Sequence, residues 1–408
     1  MTAFPSHLGA LLYADEAAHG ATSAEYDERL PVANSINDMI AGLTHDKVPR
    51  ASIRQYVHDA SRDALGPQGG QFMVSTYLAG HGSTCATTIT GTQVPIFLGR
   101  CVGGYSAAGA GTTVATPSSA VQFSVAGGTI AAGGLYRVGA STGGGDGRGN
   151  GEFYAINNAS TITLLNAMAA SASGSDVVYA AELVYPLETA AVPTSMRFNM
   201  LTANQRYGAA GCLPVSMSLT GTNPGEFLRM DTTMQASRWA AESASSFPTA
   251  VAMDDFDPAP NCGGNVFVQV VGTTTRAMRV CRDITVDIDM QRRPLPGLNT
   301  AYPYAMHVGY RTVRTGLKIS WTEESETAGT DTLGAMYDAA VNYHIMVTFS
   351  SANGSAMGLY IRNAKLVSPR PTQMTTDDLN QKRVTFEAVT GPTVTTDLTA
   401  SAWCMAFA

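Results

Sequence analysis

The sequence has 408 residues, of which 45% are hydrophobic and 14% are charged, and its formal net charge is −7. This hydrophobic content is too high for a disordered chain, and the length predicts two folded units rather than one core. The negative charge disfavours a protein that grips nucleic acid, because phosphate binding needs clustered Lys and Arg, but it does not exclude a surface that lets DNA pass.

The cysteines and histidines are scattered, and none has the spacing of metal ligands. The cysteines are Cys85, Cys101, Cys212, Cys262, Cys281 and Cys404. Isolated cysteines of this kind are usually buried and reduced. We therefore expect no cofactor.

The N-terminus lacks a basic segment followed by an apolar core, and no apolar run reaches the ~18 residues of a membrane span. We expect synthesis in a reducing cytoplasm and no membrane span. Residues 1–50 mix short apolar patches with polar links and three prolines. Such a segment does not bury itself alone, so it predicts either an N-terminal arm on a neighbouring subunit or a pair of short covering elements.

The order of elements indicates one fold written twice. Residues 315–367 contain a strand, a helix near 330–340, and two strands joined by a turn, with a further strand at 382–389. The same order occurs earlier, with a strand at 71–78, a short helix at 94–102 and a strand pair at 211–219 and 227–234. The first copy comprises 51–104 and 187–250, and the second comprises 251–408. The predicted class is mainly β with short helices, a duplicated β-sandwich or barrel.

Residues 105–186 interrupt the first copy with short alternating segments between glycine-rich turns. This pattern is typical of a small antiparallel barrel, so we predict an inserted, outward-facing β-module. Its glycine run at 143–151 lies between two predicted strands rather than before a helix, which favours a hairpin loop over a phosphate-binding loop.

Acidic residues alternate with apolar ones along 281–290, where the strand period places Asp283, Asp287 and Asp289 on one face. This face is either an ordinary solvated surface or an acidic wall facing a channel. Asp254, Asp255 and Asp257 lie between prolines and fit a linker better than a cation site. We find no GxSxG, HExxH or Walker motif and predict no enzymatic activity.

The chain resembles the major tail tube proteins of long-tailed, siphovirus-like bacteriophages. In the N-terminal half the matching residues are Leu12-Tyr-Ala-Asp-Glu16 with Gly20, Ser52-Ile-Arg54, Gly69-Gly-Gln-Phe-Met-Val-Ser-Thr-Tyr-Leu78 and Val94-Pro-Ile-Phe-Leu98 with Gly103. In the second half they are Gly211-Cys-Leu-Pro-Val-Ser-Met-Ser-Leu219, Ile284-Thr-Val-Asp-Ile-Asp289, Gly358-Leu-Tyr-Ile-Arg-Asn-Ala-Lys-Leu-Val-Ser-Pro369 and Lys382-Arg-Val-Thr-Phe-Glu-Ala388. The specific feature is their order across nearly the whole chain.

The resemblance implies a virion protein whose rings stack into a hollow tube that conducts DNA, with either three duplicated chains or six chains in each ring. Its implied partners are further copies of itself, the tail terminator and tail-tip proteins, and the tape-measure protein and DNA in the lumen. The expected lumen residues are Asp283, Asp287, Asp289, Glu226 and Glu387. The expected contacts between rings or subunits are Leu11, Leu12, Tyr13, Asn223, Pro224, Asp377 and Asp378.

Two other functions remain open. A capsid or head-decoration protein would form shells, although a major capsid protein usually needs a long helix that no segment here sustains. A carbohydrate-binding or hydrolytic tail-fibre protein would need two carboxylates ~5–10 Å apart with aromatic side chains beside them.

Overall fold

A computed structural model describes residues 10–20, 28–30, 32–48, 64–78, 93–107, 112–117, 119, 122–125, 135–139, 154–158, 161–163, 171, 174, 176–186, 194–202, 206–220, 225–242, 265–271, 276–290, 292–295, 305–308, 314–322, 341–350, 357–368, 381–388 and 401–407. The statements below concern these residues. Part of the predicted elements, including the helix near 330–340, lies outside them.

The described chain is mainly β, as the sequence predicts. Its first elements are β1 (Ala10–Asp15), β2 (Glu28–Leu30), α1 (Ile36–Ala41), β3 (Leu43–Val48), β4 (Ala64–Tyr77), α2 (Gln93–Val102) and β5 (Gly103–Ser106). Next come β6 (Thr112–Pro117), β7 (Gln122–Val125), β8 (Leu135–Gly139), β9 (Tyr154–Asn158), β10 (Thr161–Thr163) and β11 (Val177–Ala180). Then follow β12 (Glu182–Pro186), β13 (Met196–Leu201), β14 (Arg206–Thr220), β15 (Arg229–Ala236) and β16 (Arg238–Glu242). The last are β17 (Asn265–Val270), β18 (Arg276–Asp289), β19 (Arg292–Leu295), β20 (Ala305–Val308), β21 (Arg314–Thr322), β22 (Tyr343–Ser350), β23 (Met357–Ser368), β24 (Gln381–Ala388) and β25 (Trp403–Phe407).

Strands β6 to β11 form a closed barrel of their own, in the order β10-β7-β6-β11-β8-β9. Phe123 and Ile162 are fully buried. The barrel lies within the segment for which the sequence predicts an inserted module. Strands β5 and β12 flank it and pair with each other, with Ser106 opposite Leu183, and β12 also pairs with β25. The chain therefore leaves and re-enters the main sheet on neighbouring strands, and residues 182–186 belong to that sheet.

The main structure contains a long antiparallel sheet in the order β3-β4-β15-β14-β18-β21-β24-β23. One face of this sheet is buried, because strand alternation sends every second side chain to the core. Examples are Phe72, Met230, Met217, Ile288 and Phe386, each at most 3% exposed. The C-terminal strands also close on themselves through β22 and β17, which pairs back to β18.

The same pairing order occurs in both halves of the chain. Strands β13, β14, β15 and β4 are neighbours in that order, as are β22, β23, β24 and β21. The register irregularities also match. Strand β13 shifts between Met196 and Phe198, and β22 shifts between Tyr343 and Ile345. Strand β14 shifts between Pro214 and Ser216, and β23 shifts between Leu366 and Ser368.

The correspondence extends to the strands at either end of each half. Strand β1 pairs with β13 as β17 pairs with β22. In both cases, the residue after the strand donates a backbone hydrogen bond to the residue before the partner strand. Glu16 N–H donates to Ser195 O at 2.9 Å, and Val271 N–H donates to Asn342 O at 3.0 Å. Trp239 lies opposite Ala209, and Trp403 lies opposite Ile361. Strand β1 is therefore an internal strand of the N-terminal half, the counterpart of β17.

Aromatic side chains from four elements form the centre of the N-terminal half. Tyr13 of β1 meets Phe97 of α2 edge to face, with ring centroids 5.4 Å apart, and lies 6.1 Å from Phe198 of β13. Phe72 of β4 meets Phe198 at 5.5 Å. The predicted helix at 94–102 is confirmed as α2, and Val94, Phe97, Leu98 and Cys101 are buried on it. Aromatic contacts of this geometry stabilise the core beyond the area that they bury.

A buried carboxylate holds the corner at which β14 changes sheets. Residues before Gly211 pair with β13 and β16, and residues after it pair with β15 and β18. Glu16, which is 3% exposed, accepts bonds from Gly211 N–H at 2.9 Å, Ser195 Oγ at 2.5 Å and Gly20 N–H at 2.8 Å. Three donors satisfy the carboxylate, as burial of a charged group requires.

Candidate assembly surface

The long sheet exposes one face, which we call the polar face: the side of β4, β15, β14, β18, β21, β24 and β23 that carries Asp287. On β18 the burial alternates as the sequence predicts, with Asp287 and Asp289 exposed and Val286, Ile288 and Met290 buried. Hydroxyl-bearing residues dominate the neighbouring strands at Ser216, Ser218 and Thr220 on β14 and at Thr233 on β15. The face is thus broad and mainly polar, and Met73, Tyr77 and Val367 are also exposed on it.

Two predicted lumen acids are brought into one row across this face. Ser218 pairs with Asp287, which pairs with Gly316, which pairs with Glu387. Glu387 is exposed like Asp287, and Ser218 Oγ donates to Asp287 Oδ1 at 2.9 Å. Asp283 lies opposite Ser320 further along β18, and its side chain lies outside the described residues. Because residues at alternate positions of a strand share a face, the backbone position of Asp283 lies on the same side of β18 as that of Asp287.

Basic residues occupy positions opposite or beside the acidic ones. Arg314 lies opposite Asp289, and Lys365 lies opposite Glu387. The acidic positions in the ladder are Asp231, Asp283, Asp287, Asp289 and Glu387, and the basic ones are Arg229, Arg314, Lys318, Lys365 and Arg383. The described ladder therefore balances its charges along the polar face. Opposite charges on facing strands stabilise the pairing modestly.

One of these charge pairs is resolved in full. Arg229 Nε lies 2.9 Å from Asp231 Oδ1, and its Nη2 donates to Oδ2 at 3.2 Å. Thr220 Oγ1 also donates to Asp231 Oδ2, at 3.1 Å. The Asp231 side chain is only 13% exposed, so the guanidinium neutralises a shielded carboxylate and the hydroxyl adds a hydrogen bond to it.

A groove of about 410 Å³ runs between the acids of the row, lined by Ser216, Met217, Ser218, Asp287, Ile288, Asp289, Val367, Thr385, Phe386 and Glu387. Gly316 lies between Asp287 and Glu387 in the ladder and brings no side chain. The backbones of those two acids are two strand spacings apart, roughly 10 Å. Phe386 is fully buried, so the groove has no exposed aromatic side chain among its described lining. Sugar rings usually stack on such a side chain, and this groove does not offer one.

Further predicted lumen and contact residues lie either outside the strand ladder or outside the described residues. Glu226 is exposed in the connection between β14 and β15, outside the strand ladder. Asn223, Pro224, Asp377 and Asp378 lie outside the described residues.

The prediction that Leu11, Leu12 and Tyr13 contact another subunit is wrong. They are 0%, 2% and 0% exposed inside their own chain, where β1 pairs with β13 and β2. A strand that is buried on both faces has a continuous apolar sequence, so its spacing does not show whether its partner strands belong to the same chain or to another. The segment around β1 is thus part of the N-terminal core.

Sequence reasoning missed the basic positions and the polar residues of β14 and β15. A signal was present, because Arg229-Met-Asp-Thr-Thr-Met-Gln235 alternates polar and apolar residues as β18 does. A second missed signal is the repeated Ala236-Ser-Arg-Trp239 and Ala400-Ser-Ala-Trp403. Each tryptophan lies at the start of a strand, β16 or β25, that pairs with β14 or with its counterpart β23.

The part of the chain that the structure describes contains no cluster of three or more metal-ligating side chains. None of its helices is long and apolar enough to cross a membrane. No family model matches the chain, and no curated protein is significantly similar to it.

Proposed function

We propose that this protein is the structural subunit of a bacteriophage tail tube, which assembles into stacked rings whose lumen conducts DNA. The observation that carries the proposal is the long sheet, with one face in the core, one polar face and strands β3 and β23 at its two ends. Within the described residues, β3 and the end of β23 from Lys365 to Ser368 each have one unpaired side, and an open sheet edge normally invites pairing with another chain. Closing the sheet with further copies turns both edges into interfaces and places the polar face inside a cylinder.

The matching halves support a duplicated tube fold. Equal pairing order, register shifts at corresponding places and paired tryptophans are difficult to obtain from unrelated halves. If each half fills one position of a ring of six, three chains complete the ring. The barrel β6–β11 is then a decoration that interrupts only the first copy.

The chemistry of the polar face suits passage of DNA rather than binding. Phosphate binding needs an excess of Lys and Arg, and here the five basic positions of the ladder are matched in number by five acidic ones. Hydroxyl groups keep the surface hydrated without adding charge. The tape-measure protein and the DNA would therefore slide along this face without specific contacts.

The test is negative-stain electron microscopy of the purified protein over a range of salt and protein concentrations. We expect rings or tubes of constant diameter. Shells would support a capsid or decoration protein instead. Chains that stay monomeric under all conditions, or that bind glycans on an array, would contradict the tube.

A further inference from the structure

The two halves of the chain are joined by one strand pairing, between β14 and β18. Ser216 lies opposite Asp289, Met217 opposite Ile288, Ser218 opposite Asp287 and Leu219 opposite Val286. Met290 N–H donates to Val215 O at 2.9 Å. We call this pairing the internal joint. It connects the N-terminal part of the long sheet, β3-β4-β15-β14, to the C-terminal part, β18-β21-β24-β23.

Strand β23 is the counterpart of β14. The register shift at Leu366 and Ser368 corresponds to the shift at Pro214 and Ser216. Ser216 lies opposite Thr233, and Ser368 lies opposite Thr385. Val367 therefore corresponds to Val215, which is the residue that accepts the bond from Met290.

Strand β3 is the counterpart of the C-terminal part of β18. Thr233 lies opposite Met73, and Thr385 lies opposite Lys318. Counting three residues back from Met73 and from Lys318 makes Gly70 equivalent to Thr315. Gly70 lies opposite Leu43, and Thr315 lies opposite Ile288. Leu43, Thr44 and His45 therefore correspond to Ile288, Asp289 and Met290.

The counterparts of the two joined strands are the two ends of the long sheet. One side of β23 pairs with β22 as far as Ala364. Beyond that residue, from Lys365 to Ser368, no strand within the described residues pairs with the same side. Val367 is 52% exposed there. Strand β3 pairs with β4 on one side, and within the described residues no strand pairs on its other side.

We propose that β3 of one chain pairs with the free edge of β23 in a second copy of the chain, in the register of the internal joint. Thr44 then lies opposite Ser368, and Val367 O accepts a hydrogen bond from His45 N–H. This seam rests on the proposed ring assembly and specifies which edges close the ring. The occupant of both edges is another copy, because the chain already makes the same contact with itself at the joint.

The sequence also sets the strength of the seam. Pro369 and Pro371 follow β23 at the places that correspond to Met217 and Leu219. Proline keeps its carbonyl but lacks the N–H that a ladder uses. The seam therefore has fewer backbone N–H donors than the internal joint. We expect a ring to dissociate into single chains before the two halves of one chain come apart.

Disulfide trapping tests the register. Because Met290 bonds to Val215, the neighbouring pair Ser216 and Asp289 is a non-hydrogen-bonded pair, whose Cα atoms lie about 4.5 Å apart, within disulfide range. The matched internal control is Ser216→Cys with Asp289→Cys, which should cross-link within one chain and leave its mass unchanged. The test variant is Thr44→Cys with Ser368→Cys, which should give covalent trimers on a non-reducing gel under mild oxidation.

Mixing two single variants makes the test directional. Chains with Thr44→Cys mixed with chains with Ser368→Cys should give covalent dimers and nothing larger, whereas either variant alone, like the oxidised wild type, should stay single. Rings in the microscope without these dimers would overturn the seam and leave the tube function standing. Absence of both rings and dimers would overturn the seam and the tube function together.

Discussion

Glu16 Oε1 accepts a hydrogen bond from Gly211 N–H at 2.9 Å, and this contact ties the end of β1 to the corner of β14. The corner is the point at which one strand serves two sheets. Its backbone adopts a φ of +63° at Gly211, a conformation that side chains disfavour. The path of β14 from one sheet to the other is therefore supported by this carboxylate and this glycine.

Replacing Glu16 with Ala should lower the free energy of unfolding by about 3 kcal/mol, because two buried donors and one half-buried donor lose their acceptor. Glu16→Gln keeps one acceptor oxygen and should cost less. Urea denaturation measures both changes. The control is Glu226→Ala at an exposed carboxylate, which should change stability by less than about 0.5 kcal/mol. Equal effects at Glu16 and Glu226 would refute the role of the buried carboxylate.

Gly211→Ala and Gly225→Ala separate backbone strain from crowding. Both glycines have positive φ, +63° and +86°. A Cβ at 211 would lie 2.7 Å from Ser237 Cβ, whereas at 225 it would meet nothing within 4 Å. We expect a loss of about 1 kcal/mol at Gly225 from the backbone alone, and a further 1–3 kcal/mol at Gly211 from overpacking, roughly. Denaturation midpoints of the two variants give the comparison, and a larger loss at Gly225 would contradict it.

Stability should fall as the pH drops below the ordinary histidine range. Burial lowers the pKa of His19 below 6.5, an effect that Arg238 adds to and Glu16 opposes, and burial also lowers the pKa of His344. The unfolded chain then binds more protons than the folded chain at pH values below 6.5 and above the folded pKa. As the pH falls through this window, these two histidines therefore lower the free energy of unfolding. Above the window they no longer change it with pH.

The double variant His19→Gln with His344→Gln should flatten this part of the profile, measured by urea unfolding at a series of pH values. An unchanged slope would mean that other groups carry the dependence.

Reversing the exposed acids should make assembled particles bind DNA. Asp287→Lys with Asp289→Lys leaves the buried side of β18 intact, so folding and assembly should persist. The polar face then has an excess of positive charge, and binding should weaken steeply with salt because phosphate contacts release counterions. Co-sedimentation of tubes with DNA fragments at low and high salt is the measurement, and ejection from particles carrying the variant should slow. Wild-type tubes are the control, and lack of salt-sensitive binding would contradict a polar face that lines the lumen.

Removing the inserted barrel should leave the main sheet folded. Because Ser106 lies opposite Leu183, replacing residues 108–181 with Asn-Gly joins Ala107 to Glu182 by a two-residue hairpin and keeps all of β12. We expect soluble chains with a β-type circular dichroism spectrum and unchanged ring formation. Insoluble protein would show that the barrel is needed for folding.

The sequence predicts where helices and strands lie better than it predicts which strands pair with each other. The alternation in β18 and the apolar face of α2 follow directly from residue spacing, and both are confirmed. Residues Leu11 to Tyr13 cannot be placed from spacing, because a strand that is covered on both sides has no alternation of polar and apolar residues. Register shifts such as that between Pro214 and Ser216, and the convergence of Gly20, Ser195 and Gly211 on Glu16, depend on contacts between distant segments, which spacing does not report.

The two halves share a geometry but carry different side chains. Asp231 is shielded beside Arg229 in the N-terminal half, whereas the side chains of Asp287, Asp289 and Glu387 are exposed to solvent in the C-terminal half. A cylinder built from this chain consequently has alternating panels, and its inner chemistry repeats only at every second panel. A mutation in one half then alters half the wall, so selection can tune one set of panels for the passing cargo while the other keeps the shape.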